Sequence, residues 1–286
     1  MKWFTRLQNC IGYIEENLKG EIDFDKLSSI SYLSRRYFFR MFEAVTEISV
    51  KEYIRNRRMT LAAKELTTGS LKVIDIALEF GYSSPEAFSR AFKSVHGIPP
   101  SAAASQSGKL KSFSPLSFKI SVKGDLELNY RIEKKRTFKV LGEALTTTSD
   151  DGQNFIELPR FWGRVHSDGT FAKMIGLSDN SGISFGVCFP AVKGSQEFDY
   201  AIAVPYSGKT NEQFNIYDIP EATWAIFECT GSMPNAIQEK FDRIFTEWLP
   251  ATEYEIDSSL LDIELYYPGS PDNPDYKSEI WVAIKS

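Results

Sequence analysis

Along the first hundred or so residues, apolar side chains recur mostly at spacings of three and four, as at Phe38, Phe42 and Val45. That period lines them up on one face of an α-helix, so the pattern predicts an all-helical N-terminal domain. Beyond about residue 116 the period changes. The runs SFKISV, ISFGVCFP, DYAIAV, WAIFEC, LDIELYY and EIWVAI alternate or are rich in β-branched residues, and Gly, Pro and Asn punctuate them, which predicts strands. Two helical patterns interrupt these strands, from Phe155 to Ile175 and from Asn235 to Trp248. The expected second domain is therefore α+β with a mainly antiparallel sheet. Between the two lies SAAASQSGKLKSFSP, small and polar with no sustained apolar period. The division expected is a helical domain at 1–105, a linker at 106–115 and an α+β domain at 116–286.

The helical part repeats itself at a spacing of 50 residues. Tyr32, Ser34, Phe38, Arg40, Phe42, Val45 and Ile48 are matched by Tyr82, Ser84, Phe88, Arg90, Phe92, Val95 and Ile98, and Asp25 pairs with Asp75. Each copy predicts a short helix, a turn near Ser31 or Gly81, a serine N-cap at Ser34 or Ser84, and a second helix. Pro85 falls in the first turn of its helix, where a missing donor costs nothing.

The net charge of -5 is unevenly spread. Residues 1–111 hold 17 Lys and Arg against 12 Asp and Glu, leaving 16 against 26 for the remainder. The basic part suits a phosphate backbone, while the acidic part would be repelled by one and must serve another partner. No apolar run approaches the roughly 20 residues of a membrane span, and the N-terminus lacks the apolar core of a secretory signal, so a cytoplasmic location is expected without membrane contact. Cys10, Cys188 and Cys229 are odd in number and lie in apolar stretches, as core residues do. His96 and His166 have no second His or Cys at ligand spacing, so neither a metal nor a cofactor is expected.

With Phe38, Phe42 and Val45 inward, the first repeat turns Arg36, Phe39 and Arg40 to the opposite side. The second turns Phe88, Ala91, Phe92 and Val95 inward and leaves Glu86, Ser89, Arg90 and Lys93 accessible. Such helices fit the major groove of double-stranded DNA, where Arg can bond guanine bidentately and Phe39 can meet a thymine methyl. Two of them about 34 Å apart would let one chain read successive groove segments without dimerising, leaving monomer or homodimer open.

The same stretch, Phe24 to Pro100, resembles the AraC/XylS family of transcription regulators. SRRYFFRMF, EYIRNRRMTLAAKEL, VIDIALEFGYSSPEAFSRAFKSVHGIPP and the terminal Gly97-Ile98-Pro99-Pro100 carry the likeness. The resemblance implies seven helices, with a connecting helix near Val50 to Leu66. It also implies base-facing roles for Arg36, Phe39 and Arg40 in the first recognition helix and for Glu86, Ala87, Ser89 and Arg90 in the second. Promoter DNA and RNA polymerase are the implied partners. Two departures stand out: Glu47 replaces the usual glycine and Val50 a frequent proline, so the turn after the first recognition helix is expected to differ. Pro85-Glu86 counts against base reading by the second helix, since a carboxylate is repelled by phosphate, and the first unit is expected to supply more of the specificity.

Residues 116–286 show a weaker internal symmetry of strand, helix, strand, strand. The first half comprises FKVLGEAL, the helix through Trp162, ISFGVCFP and FDYAIAVP; the second comprises TWAIFECTG, the helix through Phe241, LDIELYYP and SEIWVAIK. Tandem halves pack side by side and leave a cleft between them. Ile219-Pro220-Glu221-Ala222, Trp248-Leu249-Pro250, Ile263-Glu264-Leu265-Tyr266 and Glu279-Ile280-Trp281-Val282 are similar to the GyrI-like, or Rob/BmrR-type, effector-binding domain. Glu264 shares a strand face with Asp262 and Tyr266. The resemblance implies that Glu264 sits in an aromatic pocket selecting lipophilic cations, with Trp162, Phe185, Tyr200, Trp224 and Tyr266 as walls. The plainer alternative for Glu264 is a solvent-facing place on an edge strand. Trp248 and Trp281 read as fillers between helix and sheet.

The function expected is a DNA-binding transcription regulator, an activator, responding to a small amphipathic or cationic effector. A hydrolase using Glu264 and Tyr266 on reactive small molecules is the alternative, and a protein-interaction module is a third. No Ser-His-Asp set, phosphate loop or metal cluster occurs in the sequence, so the chain is not expected to be an enzyme.

Overall fold

A computed structural model describes residues 2–68, 71–117, 128–149, 152–179, 181–190, 197–209 and 213–285. The chain divides into two compact units, Met1–Tyr32 with Thr46–Gly124, and Leu33–Val45 with Asp125–Ser286. The helical region supplies α1 (Lys2–Glu16), α2 (Phe24–Ser31), α3 (Arg35–Thr46), α4 (Val50–Thr68), α5 (Val73–Glu79) and α6 (Pro85–His96). Where seven helices are implied, the described residues form these six, then 3₁₀ turns at Pro100–Ala102 and Ser107–Lys109.

In the first unit α4 is the spine. Arg57 on α4 donates from Nε and Nη2 to the two carboxylate oxygens of Glu15 on α1, at 2.8 and 2.7 Å, and the Tyr53 hydroxyl adds a bond of 2.6 Å to Oε1. Arg58 Nε donates to Leu18 O at 2.9 Å, which holds the chain leaving α1. Met59, Ala62, Ala63 and Leu66 of α4 form one core with Ile76 and Phe80 and with Phe88, Phe92 and Val95 of α6. Ser84 caps α6 by accepting from Ala87 N at 3.1 Å, and Gly97 ends it at φ 77°. Glu47, the counterpart of Gly97 in the first repeat, adopts φ 60°. The turn after α3 therefore keeps the left-handed conformation that glycine favours, contrary to expectation, at a cost of about 1–2 kcal/mol for a residue with a Cβ.

The segment expected as a linker lies pinned along α4. Phe113 N donates to Thr60 Oγ1 at 3.0 Å and Leu116 N to the Tyr53 hydroxyl at 3.3 Å, and Phe113 O accepts from Arg57. Backbone groups make these bonds, so no apolar period betrayed them. Lys111 N donates to His96 Nδ1 at 3.1 Å, while His96 Nε2 faces Met59 O at 3.1 Å. One ring nitrogen accepts and the other donates, which fixes the neutral imidazole.

Among the described residues the second unit forms an eight-stranded sheet, every pairing antiparallel, in the order β1-β6-β8-β7-β3-β4-β2-β5. The strands are β1 (Tyr130–Lys135), β2 (Phe138–Thr148), β3 (Ser184–Cys188), β4 (Glu197–Pro205), β5 (Asn215–Ile219), β6 (Ala222–Thr230), β7 (Asp262–Tyr266) and β8 (Lys277–Ile284). Helices α7 (Gln153–Ser167) and α8 (Thr170–Leu177) follow β2; α9 (Asn235–Arg243), prolonged by a π turn at Ile244–Trp248, follows β6. The tandem β-α-β-β halves are thus β2, α7 and α8, β3, β4 and β6, α9, β7, β8, meeting at the β3–β7 pair. The edge strands β1 and β5 went unread because YRIEKK carries four charges and NIYDI is short. Each crosses over: β1 precedes β2 but pairs with β6, and β5 precedes β6 but pairs with β2. The expected strand SFKISV falls almost wholly outside the described residues.

Leu141, Phe198, Tyr200 and Ile202 meet Phe161, Val165 and Met174 on the helical face of the sheet. The other face gathers Phe185, Val187, Ala203, Trp224, Ile226, Ile263, Leu265 and Trp281 into a separate core. The sheet curls over that core, since Phe138 on β2 stands 6.4 Å from Trp281 on β8 with three strands between them. Trp248 packs edge-on against Phe227 at 4.9 Å, between helix and sheet as expected. Trp281 does not, because its strand parity turns it to the opposite face.

Burial lowers the proton affinity of His96 from its ordinary value of 6.5, against a weaker opposing effect of the Met59 carbonyl. The unfolded chain therefore binds the proton more tightly, and stability is held above pH 6.5 and lost as pH falls below it. Chemical denaturation at pH 7.5 and pH 5.5 is expected to show this loss, and His96→Gln to reduce it; an unchanged pH dependence in the variant would remove His96 as its source.

Candidate functional site

At the junction of the halves Gly186 pairs with Glu264 and Cys188 with Asp262. Paired residues of antiparallel strands share a face, and the partners of Gly186 and Cys188 on β4 are Ile202 and Tyr200, which belong to the helical face. Both carboxylates of β7 thus enter the cleft between α7 and α9. Glu264 Oε2 accepts from the Tyr200 hydroxyl at 2.7 Å and the Tyr266 hydroxyl at 2.9 Å. Trp162 Nε1 donates to the Tyr200 oxygen at 3.0 Å, and the Trp162 ring meets Tyr266 edge-on at 5.1 Å. Burial first, and the Glu264 charge second, raise both tyrosines well above the ordinary phenol value, so they stay protonated donors.

Four of the six expected wall and charge residues, Glu264, Tyr266, Trp162 and Tyr200, therefore stand together. Phe185 and Trp224 do not: they lie in the core on the opposite face. A strand flips its side chains at every residue, so aromatic content alone could not place these two on the correct side. The edge-strand alternative for Glu264 also falls, because β7 runs between β8 and β3.

Gly186 makes this arrangement possible. A Cβ built on it would collide with the Tyr200 hydroxyl and stand 2.7 Å from Glu264 Oε2.

Helix α3 enters the same cleft. Ser34 accepts from Tyr37 N at 3.4 Å, a long N-cap bond, and its own N–H donates to Ser258 Oγ at 2.8 Å. Arg36 and the Tyr37 hydroxyl bond the two oxygens of Asp262. The Arg36 side chain is 9% exposed and that of Asp262 3%. The Arg36 guanidinium also lies 5.5 Å from the Phe198 ring centre, and that of Arg40 lies 3.3 Å from the Phe241 ring centre. Tyr37 meets Phe245 edge-on at 6.0 Å.

Burial would draw the Arg36 proton affinity down, but the surrounding groups, Cys188 and Asp262 foremost, raise it above the usual guanidinium value. The Cys188 thiol is itself pushed up to about 12 by burial, so it is neutral at ordinary pH and Asp262 is the effective partner. Arg40 is lowered, by burial first and by Arg36 second, against opposing pulls from Glu264 and Asp262.

These contacts correct the expected orientation of the first recognition helix. Phe39 is buried and Arg36 is closed in by Asp262, so the side opposite Phe38 and Phe42 is not open to solvent. Periodicity identifies the apolar face of a helix but says nothing of what covers the other. On α6, Glu86, Arg90 and Lys93 are exposed and Ala87 and Ser89 half-buried. The residues that sequence reasoning passed over are Ser258, Phe198 and Phe241, and it placed Asp262 beside Glu264 without giving it a role. Asp262 had a signal, since D-x-E within a strand puts two carboxylates on one face. Among the described residues no group of His, Cys, Asp and Glu stands together as a metal site, and no helix is long and apolar enough to cross a membrane.

Residues 131–284 match the family model of the integron-associated effector binding protein, and residues 27–106 match a helix-turn-helix domain. The N-terminal part is 38% identical over 95 residues to the regulatory protein SoxS of Escherichia coli, covering 33% of this chain and 89% of SoxS. It is 39% identical over 95 residues to the HTH-type transcriptional activator AarP of Providencia stuartii, covering 33% of this chain and 70% of AarP. Among solved structures, that of SAV2435 bound to tetraphenylphosphonium is similar at 22% identity and TM-score 0.49, over 56% of this chain and 95% of that one. The chain belongs to the integron-associated effector-binding family, with its GyrI-like domain fused to an AraC-type helix-turn-helix domain. It is a DNA-binding regulator with an effector-binding domain.

Gly186→Ala is expected to cost about 1–3 kcal/mol in urea denaturation, as overpacking in a filled interior does. An undiminished midpoint would mean that the Tyr200–Glu264 pair yields freely to the extra methyl.

Proposed function

We propose that this chain is a ligand-responsive transcription activator of the cytoplasm whose effector is a lipophilic or aromatic cation. The observation that carries the reading is the Glu264 carboxylate at the junction of the two halves, hydrogen-bonded by Tyr200 and Tyr266 and flanked by Trp162. A partly desolvated carboxylate among π faces favours a cation that forfeits little hydration and stacks on the rings. Both phenols spend their protons on Glu264, so the site offers charge and ring faces and few free donors for a neutral polar ligand. That commitment also favours recognition by Glu264 over activation of water.

The helix-turn-helix domain binds promoter DNA. Arg90 and Lys93 on the exposed side of α6 supply contacts to base or phosphate, with Glu86, Ala87 and Ser89 beside them, and Arg36, Phe39 and Arg40 of α3 supply the rest once released from the contacts that close them in. Two such helices in one chain suffice for recognition by a monomer, and RNA polymerase is the partner through which activation proceeds.

The test uses the full chain. In footprinting upstream of the neighbouring genes, protection is expected to weaken steeply with salt, and Arg90→Ala to weaken it by about 1–3 kcal/mol. Salt-insensitive or absent protection would remove the DNA-binding role. For the cleft, calorimetry with tetraphenylphosphonium is expected to show binding that Glu264→Gln reduces about tenfold, or about 1.4 kcal/mol. Affinity for the neutral triphenylphosphine oxide is expected to change little; equal losses for both compounds would exclude a charge-reading pocket.

A further inference from the structure

Helix α3 brings to the cleft the chemistry assigned above to its effector. Two guanidinium groups lie over aromatic rings, Arg36 at Phe198 and Arg40 at Phe241, and Arg36 is paired with a carboxylate of the same strand face as Glu264. The helix is oriented by further bonds, Ser34 N to Ser258 and the Tyr37 hydroxyl to Asp262. By contacts, Leu33–Val45 groups with the effector-binding unit, not with the remaining helices of its own domain.

We infer that α3 is a tethered occupant of the effector cleft: a cationic effector and α3 exclude one another there, and entry of the effector frees the first recognition helix for DNA. The inference rests on the reading of this cleft as the effector site. Its first support is that the occupying side chains are those with a competing use. Arg36 cannot direct its donors into a major groove while they bond Asp262, and Arg40 cannot reach a base while stacked on Phe241. The second is charge. Asp262 and Glu264 put two negative groups on one face of β7, and the two arginines supply two positive ones, so a departing helix leaves a site that demands a cation. The third is that the docked helix is held unevenly. Arg36 has a strong buried partner, but Arg40 lies beside a like charge, and its proton affinity is reduced by burial and by Arg36.

A ligand competing with a docked segment loses apparent affinity by the fraction of molecules whose site is open. Emptying the site by mutation therefore tightens ligand binding, the reverse of what removing a ligand contact does.

The experiment is calorimetric titration of the full chain with tetraphenylphosphonium, comparing the parent with Arg36→Ala/Arg40→Ala. Folding of the variant is checked by circular dichroism. The variant is expected to bind about tenfold more tightly, and binding by the variant alone would support the inference equally. Equal or weaker binding by a folded variant would overturn the competition while leaving the effector reading in place. Absence of binding by both chains would overturn the effector reading and the inference with it. Hydrogen exchange on the parent needs no variant: saturating tetraphenylphosphonium is expected to speed exchange of the amides of Arg35–Val45. Unchanged protection with the cation bound would overturn the inference.

Discussion

Two carboxylates on one face of a central strand, Asp262 and Glu264, set the terms for the rest of the C-terminal unit. A charge withdrawn from water must be met by hydrogen bonds or opposite charge, and leaving one unpaired costs several kcal/mol. Glu264 is met by two phenols and Asp262 by a guanidinium and a phenol. Much of the surrounding sequence follows from these needs. Gly186 stands across from Glu264 because no side chain fits there, Trp162 on α7 orients Tyr200, and the aromatic rings of Phe198 and Phe241 face the cations.

The fold presents this pair where the two halves meet. β3 and β7 are counterparts in the tandem repeat and neighbours in the sheet, so their facing residues lie on the pseudo-twofold axis with one helix group on either side. Cys188 and Gly186 from one half oppose Asp262 and Glu264 from the other. Duplication therefore provides the cleft, and departure from duplication provides its charge: the half with small residues makes room for the half with acids.

Much of this was legible in the sequence, for definite reasons. The 50-residue repeat exposed two helix-turn-helix units because each has the same inward face, Phe38, Phe42 and Val45 in one and Phe88, Phe92 and Val95 in the other. The alternation in LDIELYY placed Glu264 and Tyr266 on one side of a strand. Parity between strands was not legible, so Phe185 and Trp224 were assigned to a face they do not occupy. Nor were the edge strands, because neither buries a full apolar face: YRIEKK is mostly charged and NIYDI is short. The cover on the outer side of α3 was also beyond reach, since it comes from residues more than 160 positions away. Glu47 shows the opposite limit: a residue that looked like a departure from the pattern adopts the conformation the pattern requires.

The crossed edges of the sheet carry a consequence for how the domain can respond to what it binds. Because β1 is zipped to the far half and β5 to the near one, pulling the halves apart would unzip two ladders at once, at opposite rims. The sheet is thus strapped at both rims, an arrangement that resists gaping more than a hinged shell does. On the reading proposed above, a guest would be sorted by thickness as well as by charge, and news of its arrival would travel by exchange of what fills the mouth.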